Sequence, residues 1–282
     1  MFQTPRKMRP FAALAVLALA TLGSLGAGAF QPARSAELTL EGAVSNPARS
    51  AKFIARDSAR HPADELAFFG VTPRSSVVEI WPGGGYWTEI LAPFLQDHGV
   101  YYAALQGKGG NDVEADALNA IFRNKIEADK PTYGKIRPTV LGVGQYDVAP
   151  PGSADIVLSF RNLHNWLKEG FASEVLAGFD RALKPGGVLG LEDHRGQRNS
   201  PQDPKAADGY VRQDYAIALA EKAGFEFVGS SEINANPKDT ANWPRGVWTL
   251  PPTFRLGNED RAKYAAIGEA DNFVLKFRKP TR

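Results

Sequence analysis

The chain has 282 residues, with 33 Lys and Arg against 31 Asp and Glu, for a formal charge of +2. Near-neutrality argues against nucleic acid or an anionic membrane as the main partner. The absence of Cys excludes disulfides, thiol nucleophiles and Cys-ligated metal sites. The length suits one large α/β domain with its own core.

Arg6, Lys7 and Arg9 precede an apolar stretch from Phe11 to about Leu25, with the small residues Ala27 and Ala29 beyond it. A basic start, an apolar centre and a small-residue end predict a secretory signal peptide over residues 1–29 and a periplasmic location. An uncleaved anchor is the alternative; the Gly-bearing second half, with no basic stop beyond it, favours cleavage and no stable membrane insertion. Cleavage removes three basic residues and no acids, taking the charge from +2 to −1. Residues 30–46, polar and Pro-bearing, are expected as a flexible arm.

A single domain over 47–282 is expected to follow. Asn46-Pro47 reads as an N-cap and first helical position, and Pro62–Phe69, closed by Gly70, as a second helix. Strands are expected at 76–80, 99–105, 139–143, 154–160, 188–192, 225–230 and 273–277. Ile156-Val157-Leu158 is the unbroken apolar run of a buried parallel strand. Between the strands, helices are expected at 88–95, 113–129, 171–183, 211–223 and 259–267. The helix carrying Phe171, Val175, Leu176, Phe179 and Leu183 on one face is stopped by Lys184-Pro185-Gly186-Gly187. The Pro- and Trp-rich insertion at 234–258 is too apolar for a free loop: it is either a lid over substrate or, favoured, an arm packed on the sheet edge. This alternation predicts an α/β fold with a mostly parallel seven-stranded sheet, helices on both faces and a ligand crevice at the strands' C-terminal ends.

Three stretches carry a resemblance: Glu79-Ile80-Trp81-Pro82-Gly83-Gly84-Gly85, Phe160-Arg161-Asn162-Leu163-His164-Asn165-Trp166 and Leu183-Lys184-Pro185-Gly186-Gly187-Val188-Leu189. With them the chain resembles the class I S-adenosylmethionine-dependent methyltransferases, and most closely an exported predicted-methyltransferase family of proteobacteria. The resemblance implies a Rossmann-like methyltransferase fold, S-adenosylmethionine as cofactor, and methyl transfer to a small molecule. It assigns the cofactor to Glu79, Trp81, Gly83, Gly84, Gly85, Gln106, Asp147 and Arg161. Glu79, Gly83 and Gly85 match the family's acid and glycines, while Trp81 stands at the first glycine. Gln106 occupies the place of the ribose-binding acid, and Gln145 or Asp147 that of the adenine-contacting one.

His164 and His194 are two of only four histidines, and both follow strands that the resemblance places side by side. Either is a candidate general base, with Asp193 as the carboxylate that raises its basicity. The alternative is that this polar cluster caps helices and Asp193 pairs with Arg195. Arg161 or Arg195 is also suited to holding an anionic substrate group. A metal held by Asp193, His194 and His164 is a further alternative, disfavoured by the lack of a fixed helical His spacing, so no metal is expected. A fold that lost the donor and binds a ligand or envelope partner is the remaining functional alternative.

Overall fold

The computed structural model describes residues 37–109 and 112–281, so the expected signal peptide and residues 30–36 of the arm lie outside the described residues. Seven strands form one sheet: β1 Ser76–Ile80, β2 Val100–Gln106, β3 Arg137–Leu141, β4 Ala154–Phe160, β5 Leu183–His194, β6 Glu226–Ser231 and β7 Asn272–Arg278. Their order is β3-β2-β1-β4-β5-β7-β6. The first five are parallel, and β7 runs antiparallel to both β5 and β6.

The central strands read clearly because their burial is two-sided. All five residues of β1 are buried, and its side chains alternate between two apolar layers. Val78 and Ile80 join Val157, Leu189, Trp166 and Phe179 on one face; Val77 joins Ile156, Leu158, Phe69, Ile90 and Phe94 on the other. Helices cover both layers; in chain order the described ones are α1 Leu40–Val44, α2 Ala51–Ile54, α3 Asp57–Arg60, α4 Pro62–Phe69, α5 Thr88–Leu95, α6 Asp112–Ala128, α7 Lys130–Tyr133, α8 Leu163–Glu169, α9 Ala172–Ala182, α10 Gln213–Lys222 and α11 Arg261–Ile267. The order reverses between β1 and β4, and that is where an open α/β sheet leaves a crevice beyond its strand ends.

Several expectations are corrected. Within the expected arm, Leu40–Val44 forms a short helix capped by Thr39, with Ala43 fully buried. Asn46-Pro47 opens a turn rather than a helix: the Asn46 side chain accepts from the Ala48 amide at 2.9 Å, an Asx turn that competes with helix initiation. Lys184–Gly187 does more than stop a helix. Leu183 pairs with Ala154 and Val188 with Ile156, so the Pro-Gly-Gly segment is looped out inside the β4–β5 ladder. Residues 163–169, for which no element is expected, form a helix closed by Gly170.

The insertion builds a small core of its own from Tyr210, Val247, Leu250, Tyr264 and Ala270, with Trp243 and Trp248 packed on it. Its backbone approaches 208–211 so closely that a Cβ on Gly246 would lie 2.0 Å from the Asp208 carbonyl. Neither a loose lid nor an arm on the sheet edge describes it. Val247, Trp248, Pro251 and Pro252 stand as one wall of the crevice.

Candidate active site

Beyond β1, Trp81 takes a left-handed backbone (φ +49°) and Gly83 another (φ +55°), turning the chain sharply into α5. A Cβ on Gly83 would meet nothing nearer than the Trp81 carbonyl at 4.0 Å, so this glycine leaves open space on the crevice side. Gly84 and Gly85 face inward instead, towards Phe53 and Lys125. Among the described residues, the Gly83 and Gly84 amides donate to no protein acceptor. Such amides at a strand–helix turn suit a polar or anionic ligand group.

Trp81 is half-buried. Its indole donates to the Leu141 carbonyl at 3.0 Å and packs edge-on against Trp166 at 6.0 Å. The ring therefore forms a wall of the crevice instead of filling it. Glu79 does not reach the crevice. It lies buried in the sheet and accepts hydrogen bonds from Thr88 and Tyr101. Burial pushes its carboxyl up to about 7, against the pull of those two hydroxyls. Glu79 thus anchors the start of α5 and acts on the loop only indirectly.

Gln106 lines the crevice at the end of β2, beside Asn119 of α6, whose amide donates to the Gln106 carbonyl at 2.7 Å. Asp147 does not belong there. Its side chain is 79% exposed and pairs with Arg181 at 3.0 Å, because the tight Gly142–Gln145 turn sends the chain back towards α9. Gln145 is exposed and lines no part of the crevice either.

The crevice encloses about 620 Å³ and brings together residues that follow β1, β2, β4 and β5 and precede β7. His164 and His194 meet in it, their rings 5.3 Å apart. Asp193 is fully buried and all its bonds point at this pair. One oxygen accepts from the His164 amide at 2.9 Å; the other contacts His164 Nδ1 at 2.8 Å and the His194 amide at 2.8 Å. Burial alone would raise its carboxyl, but the His164 ring and these hydrogen bonds hold it below the usual carboxylate range. A carboxylate there takes Nδ1–H of His164 and leaves Nε2 as the proton-accepting atom. His194 Nδ1 faces Asn272 Oδ1 at 2.8 Å, an acceptor, so its Nε2 also carries the lone pair.

Asp193 pairs with His164, not with Arg195, which is taken by Glu232 and Asp271 and lines a separate hollow of about 710 Å³. Arg195 is therefore removed as a crevice residue. The ligand atoms of His164, Asp193 and His194 lie within 4.8 Å of one another, close enough for a metal ion. Both Asp193 oxygens are already committed to these hydrogen bonds, so the carboxylate serves to orient the imidazole.

Burial lowers His194 to about 3, against the pull of Asp193. The unfolded chain, with the ring near its ordinary 6.5, binds that proton first, so stability should fall as pH drops from about 6.5 towards 3. Glu79 works with the opposite sign, losing stability as pH rises from about 4.5 through 7. Thermal melts across this range should therefore show a shallower acid slope in His194→Gln than in the unmodified protein. Parallel slopes would remove the buried neutral imidazole from the account.

No family profile and no curated protein matches the sequence. Solved structures do match the fold. A SAM-dependent methyltransferase from Aquifex aeolicus aligns with a TM-score of 0.52 at 15% identity, over 79% of this chain and 92% of that one. A protein from Galdieria sulphuraria, provisionally named a sarcosine dimethylglycine methyltransferase, aligns at 0.54 and 13% identity over 82% and 87%. The fold is that of the Rossmann-like methyltransferases. The [4+2]-cyclase SpnF shares it too, at 0.52 and 15% identity over 79% and 82%, so within this fold the reaction has to be argued from the site.

The sequence reading found His164, His194, Asp193, Arg161, Trp81, Gly83 and Gln106, and all but Asp193, which lies directly beneath the rings, line the crevice. It missed Arg56, Arg60, Glu269, Asn272, Asn119 and Trp248. Only the four-residue spacing of Arg56 and Arg60, which stacks two cations on one helical face, was legible as a signal.

Proposed function

We propose that this protein is an S-adenosylmethionine-dependent methyltransferase acting on a small molecule, with His164 as general base and Asp193 as the residue that orients it. The observation that carries this reading is the placement of the His164–Asp193 pair in the same crevice as the open face of Gly83. A donor site and a proton acceptor share one enclosed hollow at the switch point of a methyltransferase fold.

The residues fit the donor. Gly83 and its free amide leave room beyond β1, Trp81 offers an aromatic wall suited to a cationic or flat group, and Gln106 offers hydrogen bonds to hydroxyls. When bound, S-adenosylmethionine supplies an electrophilic methyl group. The protein's own part is to hold the acceptor in line, exclude water and remove its proton. His164 Nε2 takes that proton, and Asp193 offsets the positive charge that appears on the ring. His194, held neutral by burial, accepts a hydrogen bond from the acceptor without competing for its proton. Trp248, edge-on to His164 at 6.1 Å, forms the crevice wall beside the base.

The test is transfer of a labelled methyl group from S-adenosylmethionine to a panel of small hydroxylated and amine acceptors. Label should appear in at least one acceptor with the unmodified protein. Its absence across the panel, despite measured donor binding, would oppose methyl transfer. Export through residues 1–29 belongs to the same proposal and is tested by fusion to a reporter active only outside the cytoplasm.

A further inference from the structure

The sequence reading left open what Arg161 holds. Arg161 has a left-handed backbone (φ +60°) at the end of β4, which turns its side chain back into the crevice. Arg60 reaches the same place from the N-terminal side of the domain, its guanidinium 4.4 Å above the Tyr86 ring. Both are well buried, with side chains 14% and 6% exposed. Yet neither guanidinium donates a hydrogen bond to any described residue. For Arg60 the nearest acid oxygen is Glu269 Oε2 at 3.5 Å; for Arg161 it is the same atom at 3.8 Å, then Glu192 Oε2 at 4.0 Å. Arg60 Nε and Arg161 Nη1 are enclosed and unpartnered.

Of the acids nearby, Glu269 is engaged through both oxygens, while Glu192 Oε2 and Glu65 Oε1 are buried without a hydrogen-bond partner. Arg56 grips Glu269 with both prongs of its fork, at 2.5 and 2.6 Å. Glu192 Oε1 and Glu65 Oε2 share the Asn234 amide, at 3.1 and 2.7 Å. Burial and the adjacent Glu192 charge hold Glu65 well above the usual carboxylate range. Arg56, Arg60 and Arg161 thus crowd round the same acids, and only Arg56 is hydrogen-bonded to one of them. Burial, with Arg161 and Arg56 beside it, lowers even Arg60 to about 9. Buried forked donors without acceptors cost free energy unless a ligand supplies them, and a planar oxyanion matches a guanidinium fork.

We propose that Arg60 and Arg161 form a receptor for an oxyanion, a carboxylate or phosphate, carried by the methyl acceptor and held beside the His164–His194 pair. The receptor sits on the β4, β5 and β7 side of the crevice with Glu269 and Asn272, across from Gln106 at the end of β2, where the donor's hydroxyls are placed. The owner of the oxyanion rests on the methyltransferase reading. The receptor itself rests on two buried guanidiniums whose N–H groups find no hydrogen-bond acceptor, with carboxylates only at ion-pair distance.

Calorimetric titrations with inorganic phosphate, acetate and S-adenosylhomocysteine, at fixed ionic strength in chloride, test this. The unmodified protein should bind at least one of the two anions. Arg60→Gln and Arg161→Gln should each weaken that binding about tenfold or more, with affinity for S-adenosylhomocysteine unchanged. Arg161→Lys keeps the charge without the fork and should weaken carboxylate binding less than Arg161→Gln; it also decides the matter should a glutamine variant fail to fold. No anion binding by the unmodified protein, or equal binding by every variant, overturns the receptor. An equal loss of S-adenosylhomocysteine affinity gives the receptor to the donor's own carboxylate and overturns its assignment to the acceptor. Anion binding without any S-adenosylhomocysteine binding keeps the receptor and removes the methyltransferase reading instead.

Discussion

Replacing His164 with Ala is expected to lower turnover by about 10²- to 10⁴-fold, the range general-base catalysis contributes, while S-adenosylhomocysteine binds as before. The ring is buried and makes its one side-chain hydrogen bond to Asp193 at 2.8 Å. Removing it takes away the proton acceptor and leaves the Gly83 turn untouched. Asp193→Asn should show a loss of the same kind, because an amide in place of the carboxylate no longer fixes Nδ1–H and no longer offsets an imidazolium. Steady-state and single-turnover rates with any acceptor found active would measure both effects. Added imidazole should restore part of the rate to His164→Ala and none to Asp193→Asn. Normal turnover in His164→Ala, with only a lowered melting temperature, would reduce this pair to a structural role.

Trp81→Gly restores the glycine that the resemblance expects after Glu79 and Ile80, and should nonetheless weaken donor binding. The indole bridges the Leu141 carbonyl and the Trp166 ring, so removing it opens the crevice wall. Losing a large aromatic costs about 3 kcal/mol, and relief of a left-handed backbone at a non-glycine residue returns about 1 kcal/mol. Trp81→Ala lacks that relief and should melt lower than Trp81→Gly. Melting curves and S-adenosylhomocysteine titrations of the two variants distinguish a wall from a plug: tighter binding after either change would show that the indole obstructs the site.

The central strands were legible because they are buried on both faces. Ser76–Ile80 and Ala154–Phe160 run as expected, each a nearly unbroken apolar stretch with a sharp polar end. Local chemistry misled where two local signals compete. Asn46-Pro47 carries the marks of a helix start, and an Asx turn uses the same side chain. The site was legible wherever a residue closes a strand or follows it within a few residues, as with Gly83, Gln106, Arg161, His164 and His194. Asp147 shows the limit: two residues past a closed turn, its side chain already points at α9. The arginine cluster was invisible for a different reason. Arg56 and Glu269 stand 213 residues apart, and no spacing rule links the first helices of a domain to the residue that precedes its last strand.

Titration of the purified protein with S-adenosylhomocysteine, alongside Gly83→Val, tests the central claim most directly. The account predicts saturable binding by the unmodified chain and its loss in Gly83→Val, because the new side chain would occupy the open space on the crevice side of that residue. No heat at millimolar ligand, or undiminished binding by Gly83→Val, would contradict it.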